Sequence, residues 1–109
     1  MPPRSTTGPF TLAAGEGGRL LAEGPLTFVS ARGARQLGLA AIERTMGESA
    51  LEIDCQGVTA SDSAGLAVML DWLAAARTRG RKLRFAHVPQ GLATLARISE
   101  VSELIERGV

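Results

Sequence analysis

The stretch at residues 61–73, SDSAGLAVMLDWL, constrains the fold more tightly than any other part of the chain. It sets Ser61, Asp62 and Ser63, all oxygen-bearing, directly ahead of the most apolar helical pattern in the sequence. The first N–H groups of a helix have no intrahelical acceptors, and a short polar side chain at the N-cap supplies one. Asp62 is assigned that cap, and a helix is predicted over about residues 62–78. At about 100° per residue, Leu66, Met69, Leu70 and Leu73 converge on one side, with Ala76 at its edge, and form the core stripe. The opposite side carries Ala64, Ala67, Val68, Asp71, Ala75 and Thr78, with Trp72 at the margin. An exposed helix face ordinarily carries Lys, Glu and Gln, whereas this one is small and apolar with a single carboxylate. Either a neighbouring helix of the same domain covers it or a partner protein does. The partner is the preferred reading, because the flanking helices are expected beside this one and not over it.

The rest of the pattern supplies a frame for that helix. Residues 1–9 are rich in Pro, Ser, Thr and Gly and are expected to form a flexible N-terminus, leaving residues 10–109 as one domain. Short strands are predicted at residues 10–13 (FTLA) and 19–23 (RLLAE), joined by a hairpin loop at Gly15–Gly18 and ended by Gly24-Pro25. A helix follows over about residues 27–46, with Phe28, Ala31, Ala34, Leu39 and Ile42 at helical spacing and Thr27 or Ser30 as its cap. Gly33 and Gly38 weaken it by roughly 1 kcal/mol each relative to Ala, and Gly47 is its expected stop.

Residues 50–55 (ALEIDC) alternate Leu51, Ile53 and Cys55 against Glu52 and Asp54, the two-residue period of a strand, with a loop at 56–60 before the central helix. Residues 82–88 (KLRFAHV) read as another strand, and Pro89 opens a short helix with Leu92, Leu95 and Ala96 on its apolar side. The tail at 101–105 is left open between a strand and a helical turn. The order β-β-α-β-α-β-α, with right-handed crossovers between parallel strands and one antiparallel hairpin, predicts an α/β sandwich: a small mixed sheet with helices mainly on one face.

Several function classes find little support. The net charge is +1 and the aromatic share 4%, with no Tyr, so nucleic acid is not an expected partner. No apolar run approaches the roughly 20 residues a membrane span needs, and a cytoplasmic protein is expected. Cys55 is alone and reads as a small core residue. His87 reads as structural, and the basic run Arg77, Arg79, Arg81, Lys82 and Arg84 as a solvated helix end, with anionic headgroups or an acidic partner as the alternative. Residues 15–18 (GEGG) lack the Lys-Ser/Thr and the helix of a phosphate loop. With no nucleophile–base pair and no ligand set, the chain is expected to be no enzyme and to hold no metal and no cofactor.

Asp62-Ser63-Ala64-Gly65-Leu66, between an alternating strand and an amphipathic helix, resembles the D-[ST]-x-G-L signature of STAS domains. The similarity runs over roughly residues 20–105 in register with the strand and helix order. Within that superfamily residues 65–70 (GLAVML) and 93–97 (ATLAR) are most similar to the MlaB branch, the small subunits of Mla-type phospholipid ABC transporters. Two positions depart from the pattern: Ser63 stands where that branch typically has threonine, and Ser61 where the family usually has an apolar residue. Serine at the signature position is the phosphate acceptor of sporulation-type anti-sigma factor antagonists.

The resemblance implies a STAS-like sandwich acting as a cytoplasmic accessory subunit. Such a subunit binds and stabilises or regulates the ATP-binding subunit of a transporter that maintains outer-membrane lipid asymmetry, and it is peripheral to the inner membrane through that complex. The alternative is an anti-sigma factor antagonist switched by a kinase partner that phosphorylates Ser63. The expected partner-binding residues are Ser63, Ala64, Ala67, Val68, Asp71, Trp72 and Ala75.

Overall fold

The structure, a computed structural model, describes residues 9–44 and 50–109. The expectations for the N-terminal segment up to residue 8 and for Gly47 as a helix stop lie outside the described residues. Strands β1 (Thr11–Ala14), β2 (Arg19–Leu26), β3 (Leu51–Ser61) and β4 (Leu83–Ala86) form one four-stranded sheet in the order β1-β2-β3-β4. The β1–β2 pair is antiparallel, while β2–β3 and β3–β4 are parallel. Helices α1 (Ala31–Arg44), α2 (Ser63–Thr78), α3 (Gln90–Ile98) and α4 (Ser102–Arg107) complete the domain. The mixed α/β sandwich is the predicted one.

Leu20, Ala22 and Leu26 of β2, Leu51, Ile53 and Cys55 of β3, and Leu83 and Phe85 of β4 point into the buried core. They meet Leu66, Met69, Leu73 and Ala76 of α2, so the predicted stripe holds at those positions, with Leu70 only half-buried. The alternate residues of the same strands carry charge: Arg19 lies 3.0 Å from Glu52 and 3.7 Å from Asp54, and Arg84 lies 3.5 Å from Glu52. One sheet face is thus apolar and the other ionic, as a two-residue period dictates.

Four elements differ from the sequence reading. First, β2 runs through Gly24-Pro25, with a shift of register against β3 between those two residues, where β3 carries one extra residue. Gly24 has φ +95°, and a Cβ there would stand 2.5 Å from the Pro9 carbonyl oxygen, so the chain crosses too closely for any other residue. Second, β3 continues through residues 56–60, where a loop was expected. Third, α1 starts at Ala31, not at residue 27, and Phe28 leaves the apolar stripe. The Ser30 hydroxyl accepts from the Thr27 amide at 2.9 Å and donates to the Pro25 carbonyl at 2.7 Å, which closes residues 27–30 into a turn. Fourth, the tail is helical, as α4. Beyond it Val109 exchanges both backbone hydrogen bonds with Leu83, at 2.9 and 3.3 Å.

Trp72 lies between α1 and the sheet. Its ring centroid is 6.1 Å from that of Phe10 and 6.4 Å from that of Phe85, and its Nε1 donates to the Arg35 carbonyl at 3.2 Å. Gly38 of α1 lies against the indole, and a Cβ at that position would overlap it. A helix of the same domain therefore covers part of the α2 flank that the sequence reading gave to a partner.

Candidate docking surface at the start of α2

The surface is built outward from Asp62. Its backbone is extended, and its Oδ1 accepts from the Gly65 amide at 3.1 Å, the expected N-cap bond. Its Oδ2 accepts from the Phe28 amide at 2.9 Å, which ties the β2–α1 turn to the helix start. The Phe28 amide, followed by those of Gly65 and Ala64, holds this carboxyl below the usual carboxylate range against the opposing cost of partial burial. Gly65 is required by packing, since a Cβ there would overlap the Leu26 carbonyl oxygen where α2 crosses the end of β2. Ser63 is the first helical residue and is exposed.

Beyond this corner the face is narrower than expected. Ala67 and Asp71 are exposed, and Ala64 and Ala75 are half-buried. Val68 is only 3% exposed and Trp72 0%, so neither presents a side chain to a partner. Helical angle alone points both outward, but α1 occupies that sector. What remains is a strip of Ser63, Ala64, Ala67 and Asp71. Ala64, Ala67 and Asp71 of this strip, together with Val68 and with Ala31, Arg32, Arg35 and Gln36 of α1, line a shallow groove of about 400 Å³. Across the groove Arg35 Nε meets Asp71 Oδ2 at 3.0 Å, with both side chains about half exposed.

Sequence reasoning missed the neighbour of this strip. Phe28 is 81% exposed and Val29 93%, two large apolar side chains at the tip of the turn that Asp62 and Ser30 hold. The signal was present in Thr27 and Ser30, both turn and cap formers that bracket the pair. Val29 also borders an open groove of about 850 Å³, lined by Pro9, Phe10, Pro25 and Leu37 among others.

The remaining candidates lie apart from this site. Cys55 is buried, and that burial, with the Asp54 charge adding to it, pushes its thiol up to about 12. The side chain of His87 is largely exposed, and its Nδ1 lies 3.0 Å from Asp54 Oδ1. Asp54 is itself nearly buried, and the Gln56 amide at 2.9 Å is the main cause of its lowered carboxyl, with His87 and Arg19 adding to it. Among the described residues no group of three His, Cys, Asp or Glu side chains is placed to hold a metal ion. Arg79 and Arg84 of the basic run pair with Glu43 and Glu52.

Comparison with solved structures shows the same fold. The anti-sigma factor antagonist SpoIIAA in its unphosphorylated form superposes with a TM-score of 0.60 at 13% identity, over 84% of this chain and 81% of that one. A putative anti-sigma factor antagonist from Thermotoga maritima gives 0.69 at 10% identity, over 89% and 83%. A sulfate transporter family protein from Wolinella succinogenes gives 0.60 at 18% identity, over 84% and 76%. No curated protein matches by sequence. The family model described as "Mlab, STAS domain" matches residues 11–106, nearly the whole chain. With its signature Asp62 capping α2 on a mixed sheet, the chain belongs to the MlaB-type STAS domain family.

Proposed function

We propose that the chain is a non-enzymatic docking module: the small cytoplasmic subunit that binds and stabilises or regulates the ATPase of an Mla-type phospholipid ABC transporter. In this reading it stands at the inner membrane only through the complex, serves outer-membrane lipid asymmetry, and leaves ATP chemistry to its partner. One observation carries the proposal. A capped helix start presents an exposed hydroxyl, Ser63, at the head of a strip of small side chains, Ala64 and Ala67, that lets another backbone approach closely. The family match supports it.

The exposed Ser63 hydroxyl also favours a second reading, an anti-sigma factor antagonist switched by phosphorylation. A phosphate at the first helical residue would sit at the positive end of the helix dipole, which favours it locally. It would also place about two negative charges beside Asp62 in the contact surface, an off-switch that needs no refolding.

Co-purification with the transporter ATPase tests the first reading. Ser63→Glu and Ala67→Arg, each at an exposed position, are expected to abolish binding while circular dichroism and melting temperature stay at the parent's values. Binding by both variants at the parent's level would show the interface to be elsewhere. Stoichiometric phosphate on Ser63 of protein purified from its natural source would put the switch first.

A further inference from the structure

The strip on α2 is made of alanines and gives a partner close approach but little apolar area. The large apolar side chains at this end of the molecule are Phe28 and Val29, displayed by the turn between β2 and α1. That turn is held in place before any partner arrives. Thr27 and Ser30 bond to each other at 2.9 and 3.1 Å, the Ser30 hydroxyl bonds to Pro25 at 2.7 Å, and the Phe28 amide bonds to Asp62 at 2.9 Å. A pair of exposed apolar side chains on a pre-formed turn loses little freedom on binding, which is the condition for an interface hot spot. Arg32, exposed on the first turn of α1, sets a positive charge beside the pair and has no ion pair among the described residues.

We propose that Phe28 and Val29 are the anchors of the docking surface, entering an apolar pocket on the ATPase subunit whose rim carries a carboxylate facing Arg32. The inference rests on the docking function proposed above and names the residues that give it affinity. The charge pattern selects a protein over a lipid surface. At this end Asp62 offsets Arg32, and Asp71, midway along α2, is paired with Arg35, whereas Arg77 and Lys82 lie at the other end of α2, roughly 20 Å away. An anionic bilayer would draw that far end and not this one.

The test is a titration of the full chain against the purified ATPase subunit. Phe28→Ala is expected to weaken binding about thirtyfold and Val29→Ala about tenfold. Ile98→Ala, at a 70% exposed apolar position on α3, should bind as the parent does. All three variants should keep the parent's melting temperature, because each removes a solvated side chain. If the parent binds and Phe28→Ala binds within about twofold of it, the anchors are wrong while the docking function stands. If the parent does not bind, both fall. Sedimentation velocity and flotation with phosphatidylglycerol vesicles complete the experiment. Self-association or vesicle binding that disappears in Phe28→Ala would assign the turn to a second copy or to lipid, and would overturn the proposal.

Discussion

A single carboxylate joins segments 34 residues apart. Asp62 caps α2 through one oxygen and fixes the β2–α1 turn through the other. Losing an N-cap acceptor costs about 1 kcal/mol, and losing the charge-assisted bond to the exposed Phe28 amide adds roughly another 1 kcal/mol. Asp62→Ala is therefore expected to lower stability by about 2 kcal/mol in urea unfolding. Hydrogen exchange at the Phe28 amide should accelerate more than exchange in the middle of α1. A variant that loses stability without faster exchange at Phe28 would separate the cap from the tie. The cap was legible in the sequence because capping is local: a short polar side chain and the helix that follows it. The tie was not, because nothing in residues 27–30 announces which distant carboxylate accepts from them. Trp72 shows the same limit. Helical angle set it at the margin of a face, but only the position of α1 decides that the margin is covered.

At the scale of elements, α1 and α2 meet where a side chain is missing. In the sequence Gly38 counted only as a weakness in a helix, whereas in the fold it is the recess that receives the indole of Trp72. Gly38→Ala should gain up to about 1 kcal/mol of helix propensity and lose more to overpacking, typically about 1–3 kcal/mol. The net expectation is a lower melting temperature together with a red shift in the emission of the single tryptophan. An unchanged spectrum and a raised melting temperature would mean that the recess has room for a methyl group beside the indole. Strand β3 was legible only in its first half, again for a physical reason. Its register against β2 shifts twice, between Leu21 and Glu23 and between Gly24 and Pro25. Each extra residue on β3 moves the core-facing positions from odd to even or back, so the alternation that identifies residues 51–55 dissolves after Cys55.

Across the whole molecule two carboxylates tie acid stability to the fold. Asp54 anchors the ionic face of the sheet and Asp62 the helix start, and both have their pKa lowered from 3.8. A carboxyl that is more acidic folded than unfolded stabilises the native state above the unfolded value and stops doing so as pH falls through the folded one. Stability to urea should thus be level near neutrality and fall below about pH 4. The double variant Asp54→Asn, Asp62→Asn should start lower at pH 7 and lose less between pH 4 and pH 2. A parallel fall in parent and variant would place the acid sensitivity in other groups.

The bond pair between Val109 and Leu83 has a consequence for how copies of this protein can go wrong. In β4 the backbone groups of Leu83 and Phe85 point away from β3, and an unprotected row of that kind is the template on which stray strands pair and aggregates grow. Val109 already occupies the Leu83 position, so half of that short row is closed from within the same chain. The protection depends on Gly108, whose φ of +73° turns the backbone so close to Leu83 that a Cβ would overlap its carbonyl oxygen. One glycine thus guards this margin of the sheet against recruitment into fibres.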